Sequence, residues 1–171
     1  MPGPIIIIPA RLASHRLPGK PLADLGGKPM IVHVWRRAMD AQVAPVLVAT
    51  DSEAIADAIR AAGGKALLTR ADHVSGSDRV FEALQQIDGD KTHDVVVNLQ
   101  GDLPLIPPDF LKAVLTPLED RAVDIATLAA PIARPRERDD PNVVKVVGAP
   151  VSATRLRALY FTRAAAPWGE G

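Results

Sequence analysis

The chain has 171 residues, 47% of them hydrophobic, with 20 Lys and Arg balancing 20 Asp and Glu and no cysteine. That length supports one globular unit with a real core. The zero net charge argues against a dedicated nucleic-acid binder, and the lack of Cys excludes disulfides, thiolate metal sites and a Cys nucleophile. No apolar run approaches the ~18 residues a membrane span needs. The run Ile5 to Ile8 is too short for a signal-peptide core, and Arg11 and Arg16 follow it rather than precede it. The expectation is a cytoplasmic protein that takes neither nucleic acid nor membrane as a partner.

Ile5 to Ile8 is a β-branched run that reads as a buried strand. A loop punctuated by Pro and Gly follows, from Pro9 to Pro21. Pro29 stands where a helix can begin, and Ile31, Val34, Trp35 and Ala38 fall on one helical face. Val46 to Ala49 reads as the second strand. Asp51 or Ser52 can cap the next helix, with Ile55, Ala58, Ile59 and Ala62 inward and Gly63-Gly64 as its stop. Ala66 to Leu68 is a third strand, and Val80, Phe81, Leu84 and Ile87 mark a helix closing near Gly89. Val95 to Leu99 is a fourth strand. Pro107-Pro108-Asp109 introduces a helix carrying Leu111, Val114, Leu115 and Leu118.

This βαβαβαβα order predicts an α/β fold with a mainly parallel sheet and helices on both faces, because parallel neighbours need crossover connections. After residue 120 the texture changes. Asp124 to Ala130, Asn142 to Val147 and Leu159 to Arg163 read as strands adding antiparallel members to a mixed sheet. Arg134 to Asp140, with alternating charges and flanking prolines, reads as a solvated loop. The organisation expected is a nucleotide-binding core over 1–120 and a mixed-sheet extension over 121–171. Pro167-Trp168 follows a strand without a closing helix, so more chain is expected beyond it.

The loop after the first strand carries Arg11, Arg16 and Lys20 with no acid before Asp24. Three cations on a short loop repel one another unless solvated or offset by an anion. Its small residues, Ala10, Ala13, Ser14 and Gly19, let backbone N–H groups approach phosphate oxygens. Ligands of open α/β sheets sit outside the strand ends from which this loop leaves. It is not a Walker loop: Lys20 is followed by Pro21, and no Gly stands at position 14. A plain basic surface turn is the alternative.

A triphosphate brings a divalent cation, and Mg²⁺ is commonly held by one or two carboxylates plus phosphates and water. Asp102, after Gly101 at the end of the Val95 strand, is the candidate ligand, against a plain turn Asp. Asp51 also follows a strand, but Thr50-Asp51-Ser52 reads as a helix cap. The segment 69–79, TRADHVSGSDR, offers Ser75, Ser77 and backbone groups around Gly76 for a base edge, with Arg79 behind them. Ser77 as an N-cap is compatible with that role. His73 has no metal-ligating partner at helical spacing and reads as a loop His.

These residues carry a resemblance. The opening IIIIPARLASHRLPGKPLADLGGKPMIVHVWRRA, with VATD at 48–51, TRADHVSGSDR at 69–79, VVNLQGD at 96–102, ATLAAPI at 126–132, PNVVKVV at 141–147 and ALYFTRAAAPW at 158–168, resembles the 3-deoxy-manno-octulosonate (Kdo) cytidylyltransferases across nearly the whole chain. RLPGKPL joined to SGSDR and QGD is more specific than any lone Gly motif. A sialic acid activating enzyme would more typically show a Gly-Gly-Ser-Lys loop.

The resemblance implies a Rossmann-like three-layer α/β/α fold of the nucleotide-diphospho-sugar transferase type, with a mainly parallel mixed sheet. It implies that Arg11 and Lys20 bind the triphosphate of CTP, with Lys20 bracing charge at the α-phosphate. Pro9, Ala10 and Ser14 would complete the cradle, and Ser75, Gly76, Arg79 and Gln100 would surround cytosine and ribose. Asp102 would ligate Mg²⁺, and Arg163 would face the carboxylate of Kdo. It further implies a homodimer acting in lipopolysaccharide synthesis, and a longer chain whose later part carries sugar contacts, dimer contacts and a second metal-binding Asp.

The chain departs from the family's usual QGDEP at Leu103, which removes a carboxylate beside Asp102. The implied reaction is attack of the sugar's anomeric hydroxyl on the α-phosphate of CTP with release of pyrophosphate. The alternatives are transfer to another sugar acid, such as 8-amino-Kdo or sialic acid, and a nucleotide-binding module without turnover.

Overall fold

The computed structural model describes residues 2–13 and 19–166. Two compact units divide the chain, Met1–Ala113 and Val114–Gly171.

The first unit is built on a parallel four-stranded sheet. Strands β1 (Gly3–Ala10), β2 (Val46–Thr50), β3 (Lys65–Leu68) and β4 (His93–Asn98) lie in the order β3-β2-β1-β4. Every pairing is parallel, with Ile8 beside Val48, Val48 beside Ala66 and Ile7 beside Asn98. Parallel pairing requires a crossover between successive strands. Helices α1 (Met30–Ala41), α2 (Glu53–Ala61) and α3 (Gly76–Ile87) lie in the three connections, and α4 (Asp109–Leu115) follows β4.

The two-residue period of a strand assigns each side chain to a layer. Ile6, Ile8, Val46 and Val48 pack with Ile31, Val34, Trp35 and Ala38 of α1, Ile55 and Ile59 of α2, and Leu111 of α4. Ile5, Ile7, Leu47 and Ala49 pack on the other face against Val80 and Ala83 of α3. The result is the expected three-layer α/β/α fold. Central β1 is covered on both sides, which explains a run of four isoleucines where a half-exposed strand would alternate. Each such side chain contributes about 1.5–3 kcal/mol by leaving water.

The inner face of α1 agrees with its periodicity. On α3 the inner positions are Val80 and Ala83, whereas Phe81 is 60% exposed. Phe81 lies one residue, about 100°, from Val80 and so turns off the buried stripe. The helix from Asp109 ends earlier than its apolar pattern suggests. Pro117 removes the N–H a further turn would need, and Thr116–Glu119 tightens into a 3-10 turn. Among the described residues, no helix is long and apolar enough to cross a membrane.

The second unit departs from the sequence reading in three ways. Residues 125–130 form no strand. Strands β5 (Lys145–Ser152) and β6 (Arg155–Thr162) make an antiparallel hairpin that is its own two-stranded sheet, so the antiparallel strands do not join the parallel one. The stretch expected to be a solvated loop contains a short helix, α5 (Pro135–Asp139), with no buried residue. Pro135 occupies the first turn, where its missing N–H costs nothing, and Glu137 Oε2 accepts the N–H of Arg134 at 3.4 Å.

The hairpin is anchored by Lys145, whose residue is 3% exposed. Its ammonium donates to the carbonyls of Asp140 (2.7 Å), Val143 (2.8 Å) and Arg163 (2.8 Å). Three donors meet three acceptors, so the buried charge is fully hydrogen-bonded.

Candidate active site

Strand β1 ends at Ala10 beside the ends of β2 and β4, and three segments meet there. A Cβ on Gly101 would stand 2.7 Å from the Pro9 carbonyl oxygen, and one on Gly76 would stand 3.3 Å from the Pro9 ring. Gly101 is therefore set by close backbone approach, a requirement more specific than the tight turn inferred from sequence. The missing side chains let the start of α3 and the turn after β4 close on the end of β1.

Gly101→Ala is expected to lower stability by about 1–3 kcal/mol, since a backbone carbonyl cannot step aside as a side-chain tip can. A thermal melt checks this, and an unchanged Tm would contradict the close approach.

The space enclosed is a cleft of about 190 Å³ lined by Pro9, Ala10, Arg11, His73, Val74, Ser75, Gly76, Arg79 and Gln100. Seven of these residues were singled out from sequence: Pro9, Ala10, Arg11, Ser75, Gly76, Arg79 and Gln100. His73 and Val74 were not assigned to the site. The structure also brings Lys20 to Asp102, two residues past Gln100, with Nζ 2.8 Å from Oδ2 across a separation of 82 residues. Ser14, Arg16 and Pro18 lie outside the described residues, as does Trp168.

The loop leaving β1 is pinned at its neck. The N–H of Gly19 donates to the carbonyl of Leu12 at 3.2 Å, and the N–H of Leu12 donates to Asp51 Oδ1 at 3.3 Å. Gly19 adopts φ 71°, a left-handed conformation that places Lys20 at the start of a 3-10 turn. Arg11 is exposed.

Asp51 is thus not the helix cap expected from Thr50-Asp51-Ser52. Ser52 takes the N-cap position of α2, without a side-chain cap bond. Asp51 instead faces the cleft's supports, because it terminates a strand adjacent to β1. Its second oxygen accepts Arg79 Nη2 at 2.9 Å. Arg79 is nearly buried, its side chain 3% exposed, and Nη1 also donates to Thr69 Oγ1 and to the carbonyl of Arg70. This guanidinium braces the cleft wall through fixed protein partners.

Ser75, also on the cleft, is the N-cap of α3 in place of Ser77. Ser75 Oγ accepts the N–H of Asp78 at 3.2 Å, and Asp78 Oδ2 accepts the N–H of Ser75 at 3.0 Å. The three-residue reach of a capping box favours Ser75, because the matching acid stands at 78. Hydrogen bonds from Ser75 hold the Asp78 carboxyl below the usual range.

Ser77 Oγ accepts Asn98 Nδ2 at 3.3 Å, and Asn98 Oδ1 accepts Gln100 Nε2 at 3.1 Å. This chain ties the start of α3 to the end of β4. His73 is hydrogen-bonded to Glu82, which also accepts the N–H of Arg70. The bond from His73 lowers the Glu82 pKa. His73 is therefore paired with an acid of α3.

Among the described residues, no three His, Asp or Glu side chains stand together as a metal site. Asp102 does suit a cation shared with substrate. Its side chain is 53% exposed, and one oxygen faces Lys20. Mg²⁺ is often bound in this way, through one or two carboxylates with phosphates and waters filling the remaining positions.

Arg163 lies in the second unit. Its Nη1 donates to the Pro141 carbonyl at 2.7 Å, and its own carbonyl receives Lys145.

The cytidylyltransferase family profile matches residues 5–170. The 3-deoxy-manno-octulosonate cytidylyltransferase of Methylobacterium sp. (strain 4-46) is 66% identical over 171 residues, covering 100% of this chain and 69% of that protein. The protein of the same name from Methylorubrum populi (strain ATCC BAA-705 / NCIMB 13946 / BJ001) is 64% identical over the same span, again 69% of its length. Among solved structures, a CMP:2-keto-3-deoxy-manno-octonic acid synthetase complexed with CTP superposes with a TM-score of 0.86 at 45% identity, covering 97% of this chain and 66% of that one. With that identity sustained from end to end over a common fold, the chain belongs to the 3-deoxy-manno-octulosonate cytidylyltransferase family.

Proposed function

We propose that this chain forms the nucleotide-holding part of an enzyme that transfers CMP from CTP to 3-deoxy-manno-octulosonate and releases pyrophosphate. The observation that carries the reading is the cleft at the end of β1, with the Lys20–Asp102 pair placed just beyond Gln100. It combines exposed cations for a polyphosphate with a carboxylate suited to a shared cation. The CTP complex of a solved relative supports the choice of nucleotide.

In this reading Arg11 and Lys20 take the triphosphate, with Pro9, Ala10 and Ser14 forming the cradle. Ser75, Gly76, Arg79 and Gln100 line the nucleoside side, and Arg163 takes the sugar carboxylate. The hydroxyl and side-facing N–H of Ser75 are already used in the capping box, so its part is to hold Gly76 and the helix N-terminus in place.

The anomeric hydroxyl attacks the α-phosphate in line and gives its proton to solvent water, while the bond from the α-phosphorus to the pyrophosphate oxygen breaks and pyrophosphate leaves with the bonding electrons. Lys20 swings from Asp102 to the oxygens where negative charge grows. Mg²⁺, held by Asp102 and phosphate oxygens, would supply charge neutralisation and a lower pKa for the attacking hydroxyl. Orientation of the two anionic reactants provides the other large contribution, about 7–11 kcal/mol in well-built sites. We also read the enzyme as a cytoplasmic homodimer serving lipopolysaccharide synthesis, a reading that rests on the family resemblance.

Calorimetric titration with CTP and with UTP, in Mg²⁺, beside a pyrophosphate-release assay with Kdo tests the reading. Saturable CTP binding, weaker UTP binding and release only when Kdo is present are the expected results. CTP binding without release would identify a nucleotide-binding module, and equal response to UTP would refute cytidine selection.

A further inference from the structure

We infer that Asp51 is a positioning residue whose carboxylate holds the Leu12 amide, and with it the neighbouring cations Arg11 and Lys20, so that it governs affinity for the phosphates of the nucleotide rather than for its nucleoside. This inference rests on the nucleotide reading above. Asp51 stands at the end of β2, with its side chain 12% exposed, and each oxygen serves a different element. Oδ1 takes the N–H of Leu12 in the loop after β1, and Oδ2 takes Nη2 of Arg79 in α3.

Leu12 is the closing point of the loop, since its carbonyl receives the N–H of Gly19. Lys20 follows Gly19 and reaches Asp102. One carboxylate therefore fixes the neck from which Arg11 and Lys20 extend. Arg79 depends on it less for its position, because Thr69 Oγ1 and the Arg70 carbonyl also hold its guanidinium.

The chemistry of an amide at this position separates the two tasks. Both neighbours of Asp51 are donors, and only a carboxylate offers an acceptor to each. An Asn of the same shape has one oxygen and one NH₂, so a donor must face a donor whichever way it turns. The buried guanidinium is the stronger claimant for the oxygen, because charged hydrogen bonds are roughly twice as strong as neutral ones. The NH₂ then faces Leu12, and Leu12 loses its tether while the α3 side of the cleft keeps its arrangement.

The test is calorimetric titration of the wild-type chain and Asp51→Asn with CTP and, separately, with cytidine, together with hydrogen exchange at the Leu12 amide. The expected result is a CTP affinity lower by about tenfold, from the loss of fixed positions for Arg11 and Lys20, with cytidine affinity changed by less than about twofold. Faster exchange at Leu12 is expected alongside. Equal losses for CTP and cytidine, or no loss for either, would overturn the inference. If the Asn variant does not fold, Asp51→Glu makes the same comparison. It keeps a charge for Arg79 but, being one methylene longer, cannot serve both donors at once. A wild-type chain that binds no CTP refutes the nucleotide reading and this inference with it, whereas normal wild-type binding with an unaffected variant refutes only the inference.

Discussion

Lys20→Met is expected to lower the rate of pyrophosphate release by about 10²–10³-fold while weakening CTP binding by less than about tenfold. The reason is where the charge grows. In the ground state the triphosphate has other cations to meet, including Arg11, and Lys20 is already paired with Asp102 at 2.8 Å. The pair is largely solvent-facing, with side chains 37% and 53% exposed. Exposed ion pairs are worth only about 0–1 kcal/mol, so Lys20 leaves Asp102 for a phosphate at little cost. Its contribution then rises as the bond to pyrophosphate breaks and charge accumulates on the phosphoryl oxygens. Methionine keeps much of the side chain's length without the charge. Steady-state release beside calorimetric CTP binding measures the two effects, and equal losses in both would show that Lys20 binds substrate and transition state alike.

Asp102→Asn carries the second large effect, and its sign depends on Mg²⁺. With Mg²⁺ present, release is expected to fall by about 10²-fold or more, because the carboxylate that would share the cation is gone. Without Mg²⁺, CTP binding is expected to hold or to tighten. The substitution removes a negative charge beside a polyphosphate and frees Lys20 from its partner. Titrations with CTP in EDTA and in excess Mg²⁺ separate the two regimes. A variant that loses CTP affinity equally in both would mean that Asp102 is a structural turn residue and not a cation ligand. Leu103 is 42% exposed beside it and adds no charge, so Asp102 is the carboxylate through which this turn acts.

Several features were open to sequence reasoning because they are local. The run Ile5 to Ile8, the α1 face of Ile31, Val34, Trp35 and Ala38, and Gly63 after α2 each report a periodicity or a backbone demand written in adjacent residues. Strand-end logic then placed the candidate site. Once β1 and β4 are parallel neighbours, the loop after the first and the turn after the second must share an edge. The same logic applied to β2 would have found Asp51, but its resemblance to a cap concealed it. Ser75 caps α3 rather than Ser77 because the acid at 78 stands three residues after it, the reach of a capping box. Of the strands expected beyond residue 120, those over Asn142 to Val147 and Leu159 to Arg163 fall on β5 and β6, and only the one over Asp124 to Ala130 fails, for a different reason. A stretch such as Ala126 to Ala130 has apolar content without a partner strand, and pairing is a non-local property.

The amino-acid sequence by itself determined the alternation of strands and helices, the parallel order that alternation demands, and the cationic loop and lone acid at strand ends. These follow from side-chain period, steric limits at Pro and Gly, and charge, all of which act within a few residues. Tertiary structure alone decided which donors each carboxylate meets. It joined Lys20 to Asp102 and gave Asp51 to Leu12 and Arg79, and it required Gly101 to be bare because the Pro9 carbonyl lies against it. Those contacts span tens of residues along the chain, and only the packing of one strand end beside another brings them within reach.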